Sequence, residues 1–398
     1  RHQHAVCRRQ RQMCIRDSPS PDTLGPWLPG RTTPPGPSRR QDPLRPSNPA
    51  WLPIMRPHFL ILLLLSVAST CSVPVITQGE ESSDLRVMTW NIWGKLNQEP
   101  RYTLDDLTAR TRTIEILKDS GADLIAMIET YGSAADIAKA LNFHHYTPHA
   151  SANLSIFSRY PLSEVGTPDG LSSFSFIRAT AQVSDTQSIK VHCIWLTSGG
   201  RHLVEIQNDS VSDQAFIDGD ANRAEMLRNF FSHSEIQDDL KNIDQRPLII
   251  AGDFNCVSHL DYNEPTRGLN FGRVFQTSPV HRQMLEHGFV DSYREVHPEL
   301  TAETLGYTWT TVGLDFKYES NMGFVPTDPR THPNPEYRIP YGRIDFIYSG
   351  GGLRPVESRV IRHFKQRRAR SFPEFPSDHA AVYSRYRLTS DDKSVPPR

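Results

Sequence analysis

The sequence predicts an α/β architecture in which two β-sheets pack back to back with helices on the outside. From Leu85 onward, short runs rich in β-branched and aromatic residues alternate with amphipathic stretches. Strands interleaved with helices in that order build layered folds rather than bundles. The apolar fraction of 37% over 398 residues is enough to bury a core.

The expected strands are residues 85–90, 124–128, 154–158, 177–183, 189–196, 248–252, 344–348 and 380–386. Helices fit residues 104–120, 133–141, 221–231 and 280–287. In the first of these, Leu107, Ile114 and Leu117 recur at helical spacing and Gly121 provides the C-terminal stop. Residues 313–340, proline-rich and without periodicity, read as a long loop, and loops of that length are usually functional or mobile.

The ends of the chain read differently. Residues 1–54 are crowded with Pro and Arg and lack apolar periodicity, so they are expected to be disordered and foreign to the native protein, with translation starting at Met55. Met55-Arg56-Pro57-His58, the apolar run 59–65 and the small residues up to Cys71 have the order of a secretory signal peptide, residues 55–71. That run is shorter than the ~20 residues of a membrane span, so the expected location is secreted or periplasmic, without a stable span. A lipoprotein anchor at Cys71 is the alternative, and Thr70 is a poor residue just before its cleaved bond. A linker (72–83), the folded domain (84–388) and a disordered tail (389–398) complete the division.

Residues 1–54 carry nine Arg and three Asp, net +6, so a total of −1 leaves the rest near −7. An acidic domain gains little from counterion release on nucleic acid, and any such contact needs a local basic patch. Cys193 and Cys256 show no disulfide framework or zinc spacing and read as small buried hydrophobes.

Polar residues follow several apolar strands. Asn91 follows Val87-Met88-Thr89-Trp90, Glu129 follows Leu124-Ile125-Ala126-Met127-Ile128, and Gly252-Asp253-Phe254-Asn255 follows Leu248-Ile249-Ile250-Ala251. Layered α/β folds bind ligands at such strand ends. Arg343-Ile344-Asp345-Phe346 and Ser377-Asp378-His379 add two carboxylates and a histidine. Taken singly, each is a turn former or cap, and Asp345 a buried partner for Arg343; their order together is far more specific.

That order resembles the endonuclease/exonuclease/phosphatase superfamily. Thr89-Trp90-Asn91-Ile92 is similar to its first motif, Ile128-Glu129 to its metal carboxylate, and the stretch from Ala152 to Leu162 to its central strand and turn. Gly252-Asp253-Phe254-Asn255, Arg343-Ile344-Asp345-Phe346 and Ser377-Asp378-His379 complete the set. The resemblance implies a deoxyribonuclease I-like four-layer sandwich of two mixed β-sheets packed face to face with helices outside. It also implies a phosphoric ester hydrolase acting on a phosphate ester, nucleic acid among the options, with Mg²⁺ as cofactor and Mn²⁺ as a substitute; the protein is expected to be a monomer. Glu129, Asn91 and Asp378 would hold the metal, a hard cation that prefers oxygen ligands. Asp253 and Asn255 would align the attacking water and the phosphoryl group, and His379, oriented by Asp345, would bond a phosphoryl oxygen or move a proton.

One position departs from the family. Many members carry a His-Leu pair where this chain reads Trp195-Leu196, and an indole N–H donates a hydrogen bond without exchanging a proton at neutral pH. His192, three residues away on a strand, points to the opposite face. Trp195 is therefore expected to contact substrate, and the following Gly-rich tract is either a phosphate-binding loop with Arg201 as its charge or a solvated turn. The basic run at residues 362–370 is either a solvated surface or a phosphate-steering lip. A lipid or inositol-phosphate esterase and a catalytically silent binding protein are the rival readings.

Overall fold

A computed structural model describes residues 84–94, 109–199, 203–206, 208–311, 316–319, 323–326, 342–364, 367–368 and 375–388. The expected leader, signal peptide, linker and tail, together with residues 104–108 of the first expected helix, lie outside the described residues, as do most of 313–340 and Arg201.

The chain runs β1 (Asp84–Asn91), α1 (Ala109–Ser120), β2 (Leu124–Ile128), α2 (Ala134–Leu141), β3 (His144–Tyr146), β4 (Ser155–Ser158), β5 (Leu162–Gly166), β6 (Phe176–Gln182) and β7 (Ser188–Trp195). It continues through α3 (Asp213–Gly219), α4 (Ala221–Ser232), α5 (Ser234–Lys241), β8 (Leu248–Asp253), α6 (Pro279–Glu286), β9 (Val290–Asp291) and α7 (Ser292–Val296). Then come β10 (Phe316–Glu319), β11 (Gly323–Pro326), β12 (Asp345–Gly350), β13 (Pro355–Ile361), β14 (His363–Phe364), β15 (Arg367–Arg368) and β16 (Ala381–Arg387).

Two six-stranded sheets form the middle of the sandwich, one ordered β13-β16-β1-β2-β4-β3 and the other β5-β6-β7-β8-β12-β9. Both are mixed: β1–β2 and β7–β8 are parallel, and the remaining pairs are antiparallel. Strand alternation divides the side chains between layers. Leu85, Val87, Leu124 and Ala126 of the first sheet meet Val191, Cys193, Ile249 and Ala251 of the second. The opposite face of the first sheet, with Met88, Trp90 and Ile125, buries Ile116 and Leu117 of α1 and Ile137 of α2. That of the second covers Ile250 and Phe346 with Leu227 and Phe230 of α4 and Met284 of α6. Helix, sheet, sheet, helix is thus the observed layering.

Four of the strands absent from the sequence expectation, β3, β5, β9 and β13, are the edges of the two six-stranded sheets. Edge strands face water and carry polar side chains, as the exposed His144 and His145 of β3 and the largely exposed β5 illustrate, so they lack the apolar run that marks a central strand. Residues 313–340 are a correction of another kind, because the expected loop contains the antiparallel hairpin of β10 and β11.

Two features lock the second sheet where it carries chemistry. Gly252 lets β8 approach β7 so closely that a Cβ there would lie 1.8 Å from the Ile194 carbonyl oxygen. Ahead of β12, the buried Arg343 guanidinium donates to Asp261 at 2.9 Å and to Asp291 at 2.7 Å and lies 4.4 Å above the Phe346 ring. Arg343 therefore pairs with these two acids, leaving Asp345 to another partner. Burial alone would raise the Asp291 pKa, but the Arg343 charge overrides it and holds that carboxyl below its usual range.

Gly252→Ala should therefore force β7 and β8 apart and cost about 3 kcal/mol or more, read as a lowered urea midpoint. Arg343→Met leaves Asp261 with Arg294 alone and Asp291 with only the Tyr293 and Arg294 backbone N–H groups, and should cost about 3 kcal/mol in the same measurement; a change below about 1 kcal/mol would show that the pairs add nothing net.

Candidate active site

The alternation that fills the core also points polar groups into one end of it. Asn91 continues the inward-facing series Leu85, Val87, Thr89; Asp253 continues Ile249 and Ala251; Asp345 precedes the inward-facing Ile347. Asp253 and Asp345 stand opposite one another in the β8–β12 ladder. β16 enters beside β1, and Ser377 Oγ, just ahead of it, donates to the Asn91 carbonyl at 2.7 Å.

Glu129 does not follow from alternation. After inward-facing Ile128 the next residue belongs on the helix side, yet Glu129 has φ +60, a left-handed turn that ends the strand and brings its carboxylate to Asn91. Trp93, Tyr131 and Asn255 also have positive φ, so four such residues border the same site. Backbone strain of this sort gathers where surrounding structure holds functional groups in place. Asn153 helps hold it: its Oδ1 accepts the Glu129 backbone N–H at 3.1 Å, and its Nδ2 donates to the Phe174 carbonyl at 2.9 Å.

The side chains form a connected set. Asn91 Nδ2 donates to Glu129 Oε1 at 3.2 Å and to Asp253 Oδ2 at 3.1 Å, while its Oδ1 accepts Trp93 N–H at 3.0 Å. The other Glu129 oxygen accepts Gly94 N–H at 3.3 Å. Asn255 donates its backbone N–H to Asp253 Oδ1 at 2.9 Å and its side-chain amide to Asp253 Oδ2 and the Leu196 carbonyl. His379 Nδ1 meets Asp345 Oδ2 at 2.9 Å, and Trp309 Nε1 donates to Asp378 Oδ2 at 3.2 Å. Trp90 anchors the segment, its indole N–H donating to the His379 carbonyl at 2.8 Å.

Crowding dominates the electrostatics. Burial, and then the Asp345 charge, raises the Asp253 pKa to about 7. Glu129, partly exposed at the rim, is raised by the surrounding protein and by Asp378, and Asp378 is itself raised by burial. Burial would lower the His379 pKa, but the Asp345 and Asp378 charges override it and push it up to about 10. Asp253, Asp345 and His379 bring ligand-type atoms within 4.8 Å of one another. Asp345 Oδ1 and Asp378 Oδ1 are buried without a hydrogen-bond donor among the described residues. Unpaired carboxylate oxygens among acids that disfavour one another's charge are a donor set that fits a hard divalent cation.

Of the residues singled out from the sequence, Asn91, Glu129, Asp253, Asn255, Asp345, Asp378 and His379 come together here. Trp195 stands beside Asp253 in the β7–β8 register, half-buried, its ring edge-on to Phe174 at 5.1 Å. His192 faces the helix layer, hydrogen-bonded to Asp239 of α5 at 3.3 Å and packed on Phe230. Arg201 lies outside the described residues, and so do the side chains of residues 363–370 in the basic run. Asn153, Trp309 and Ser377 belong to the site and were not singled out from the sequence, although Asn153 and Ser377 stand inside motifs that were.

Comparison with known proteins places this geometry. The profile of the endonuclease/exonuclease/phosphatase family matches residues 88–379. An uncharacterized protein of Caenorhabditis elegans is 23% identical over 340 residues, which is 82% of this chain and 99% of that protein. Among solved structures, an AP endonuclease from Archaeoglobus fulgidus is 19% identical with a TM-score of 0.46, over 75% of this chain and 98% of that one. TDP2 from C. elegans is 14% identical with a TM-score of 0.47, over 76% and 75% of the two chains. The family match spans 292 of the 398 residues and includes every described residue of the site, and the chain belongs to the endonuclease/exonuclease/phosphatase family.

Proposed function

We propose that the chain is an exported, Mg²⁺-dependent hydrolase of phosphate esters, of the phosphodiesterase or endonuclease kind, with its catalytic domain at residues 84–388. The observation that carries this reading is the convergence of four carboxylates, two amides and one carboxylate-held imidazole at one end of the inter-sheet core. Members of the family are typically phosphoester hydrolases and generally need a divalent metal. Export rests on the signal-like order of residues 55–71. No helix among the described residues is long and apolar enough to cross a membrane.

Glu129 and Asp378 would hold the cation, with Asn91 beside them, its amide N–H₂ turned to the carboxylates. When bound, Mg²⁺ or Mn²⁺ supplies a Lewis acid that polarises the phosphoryl oxygens. Asp253 and Asn255 orient the attacking water, and Asp253 accepts its proton as the new O–P bond forms. The ester O–P bond breaks on the opposite side, and the leaving alcohol takes up a proton from solvent. His379, protonated near neutral pH and fixed through Nδ1 by Asp345, presents Nε2–H to a non-bridging oxygen and stabilises the charge that grows there. Trp195 borders the phosphoryl position from β7; Arg201, outside the described residues, is the charge that the sequence offers for phosphate.

Hydrolysis of bis-p-nitrophenyl phosphate that requires Mg²⁺ and stops with EDTA tests the reaction class. Glu129→Gln, which removes a charge and keeps the shape, should raise the Mg²⁺ concentration for half-maximal rate at least about tenfold, with rescue at high Mg²⁺; an unchanged Mg²⁺ titration would make Glu129 a structural carboxylate. His379→Ala and Asp345→Asn should each lower turnover ~100-fold or more, within the usual range for one acid–base group, and the double variant should be little worse than His379→Ala. Full additivity of the two losses would break the pairing.

A further inference from the structure

One buried amide spans the two sheets at the end that carries the site. Asn153, 1% exposed, precedes β4 of the first sheet, and its Nδ2 donates at 2.9 Å to the carbonyl of Phe174, which precedes β6 of the second. The same segment cradles the turn that bears Glu129. Asn153 Oδ1 accepts the Glu129 N–H at 3.1 Å, the Asn153 carbonyl accepts the Thr130 N–H at 3.0 Å, and the Ala152 carbonyl accepts the Tyr131 N–H at 3.1 Å. Thr130 Oγ1 and Ser155 Oγ close the cradle at 2.9 Å. Glu129 and Tyr131 both have positive φ, a conformation that holds only while such partners persist.

The other end of the amide serves the aromatic side. Phe174 meets the Trp195 ring edge-on at 5.1 Å, and the next residue, Ser175, takes the Trp195 backbone N–H on its carbonyl at 2.9 Å. Trp195 in turn stands level with Asp253. One side chain is thus tied at Oδ1 to the backbone of Glu129 and at Nδ2 to the segment that seats Trp195. Its partners fix which end is which, because a backbone N–H can only donate and a carbonyl can only accept. Few side chains could replace it. An ionised Asp has no donor, Gln is one methylene longer, and Leu keeps the approximate shape without either polar atom.

We infer that Asn153 is a positioning residue for both halves of the site: it holds Glu129 in the turn that aims its carboxylate and holds the Phe174–Trp195 border against which a bound ester lies, so that metal affinity and substrate affinity depend on one side chain. The inference rests on the hydrolase reading above and adds a residue that acts through Glu129 and Trp195.

Calorimetric titration of Mg²⁺ into the full chain reads the first half without relying on turnover. Asn153→Ala should weaken Mg²⁺ binding about tenfold, the size of one lost buried hydrogen bond. Added to Glu129→Gln, it should cost no more than about twofold further, because its effect runs through a carboxylate already neutralised. Binding of phenyl phosphate at saturating Mg²⁺ reads the second half. Asn153→Ala should raise that Kd about fivefold, and the effect should vanish in a Trp195→Ala background. Asn153→Ser, small and polar enough for a water to complete both bonds, should show part of each loss and recover most of the urea midpoint, which keeps the test open if Asn153→Ala folds poorly. A lowered midpoint with both Kd values unchanged would make Asn153 a packing residue and overturn the inference. Losses that simply add to those of Glu129→Gln and Trp195→Ala would overturn it as well. Both coupled losses without Mg²⁺-dependent hydrolysis of bis-p-nitrophenyl phosphate would uphold the inference and defeat the hydrolase reading; hydrolysis with neither loss would do the reverse.

Discussion

Four acids, Glu129, Asp253, Asp345 and Asp378, share one poorly solvated corner at the end of the inter-sheet core, and the rest of the site is arranged around their repulsion. Like charges in a low dielectric raise one another's pKa, and each demands hydrogen bonds or a counter-charge to stay ionised. His379 supplies one positive charge through Asp345, and the Asn91 amide donates to Glu129 and Asp253 together. Two carboxylate oxygens still lack donors among the described residues, so a bound cation would relieve the site more than any further rearrangement of side chains. The same crowding that makes these acids costly to bury makes them strong ligands.

Holding such a cluster requires a scaffold that does not yield. The two parallel strand pairs occupy the middle of their sheets, where neighbours on both sides fix them, and their C-terminal ends carry Asn91, Glu129, Trp195 and Asp253. Gly252 permits the close β7–β8 contact, and Arg343 fixes the entry to β12 by joining the loop of Asp261 to Asp291 at the start of α7. Asp291 also accepts the Tyr293 and Arg294 backbone N–H groups, so one carboxylate caps a helix and anchors the approach to Asp345. Breaking that anchor acts on the chemistry through backbone position.

Trp195 changes the proton inventory. With an indole beside Asp253 and His192 committed to Asp239 in the helix layer, His379 is the one imidazole joined to the cluster among the described residues. An imidazole beside carboxylates that favour its charged form is suited to stabilising negative charge on a phosphoryl group more than to shuttling protons. Trp195, level with Asp253 and edge-on to Phe174, gives that charged centre an uncharged aromatic border.

Much of this is legible in the amino-acid sequence, for a definite reason. Apolar runs that end at Asn91 and Asp253, and one that begins after Asp345, mark strands from local pattern alone, and strand geometry then puts alternate residues on one face together with the polar groups at these ends. The order of those motifs pointed to the family that the chain proves to belong to. What local pattern cannot express was decided by tertiary structure. The edge strands β3, β5, β9 and β13 exist because a sheet offers them partners, the left-handed turns at Glu129 and Asn255 because contacts from other segments hold them, and the Arg343 pairs because Asp261 and Asp291 arrive from distant positions. Trp309 joins the site only when its loop folds back onto Asp378, 69 residues later in the chain. Periodicity sets which face a side chain takes, whereas the meeting of separate strand ends depends on long-range packing that no window of sequence contains.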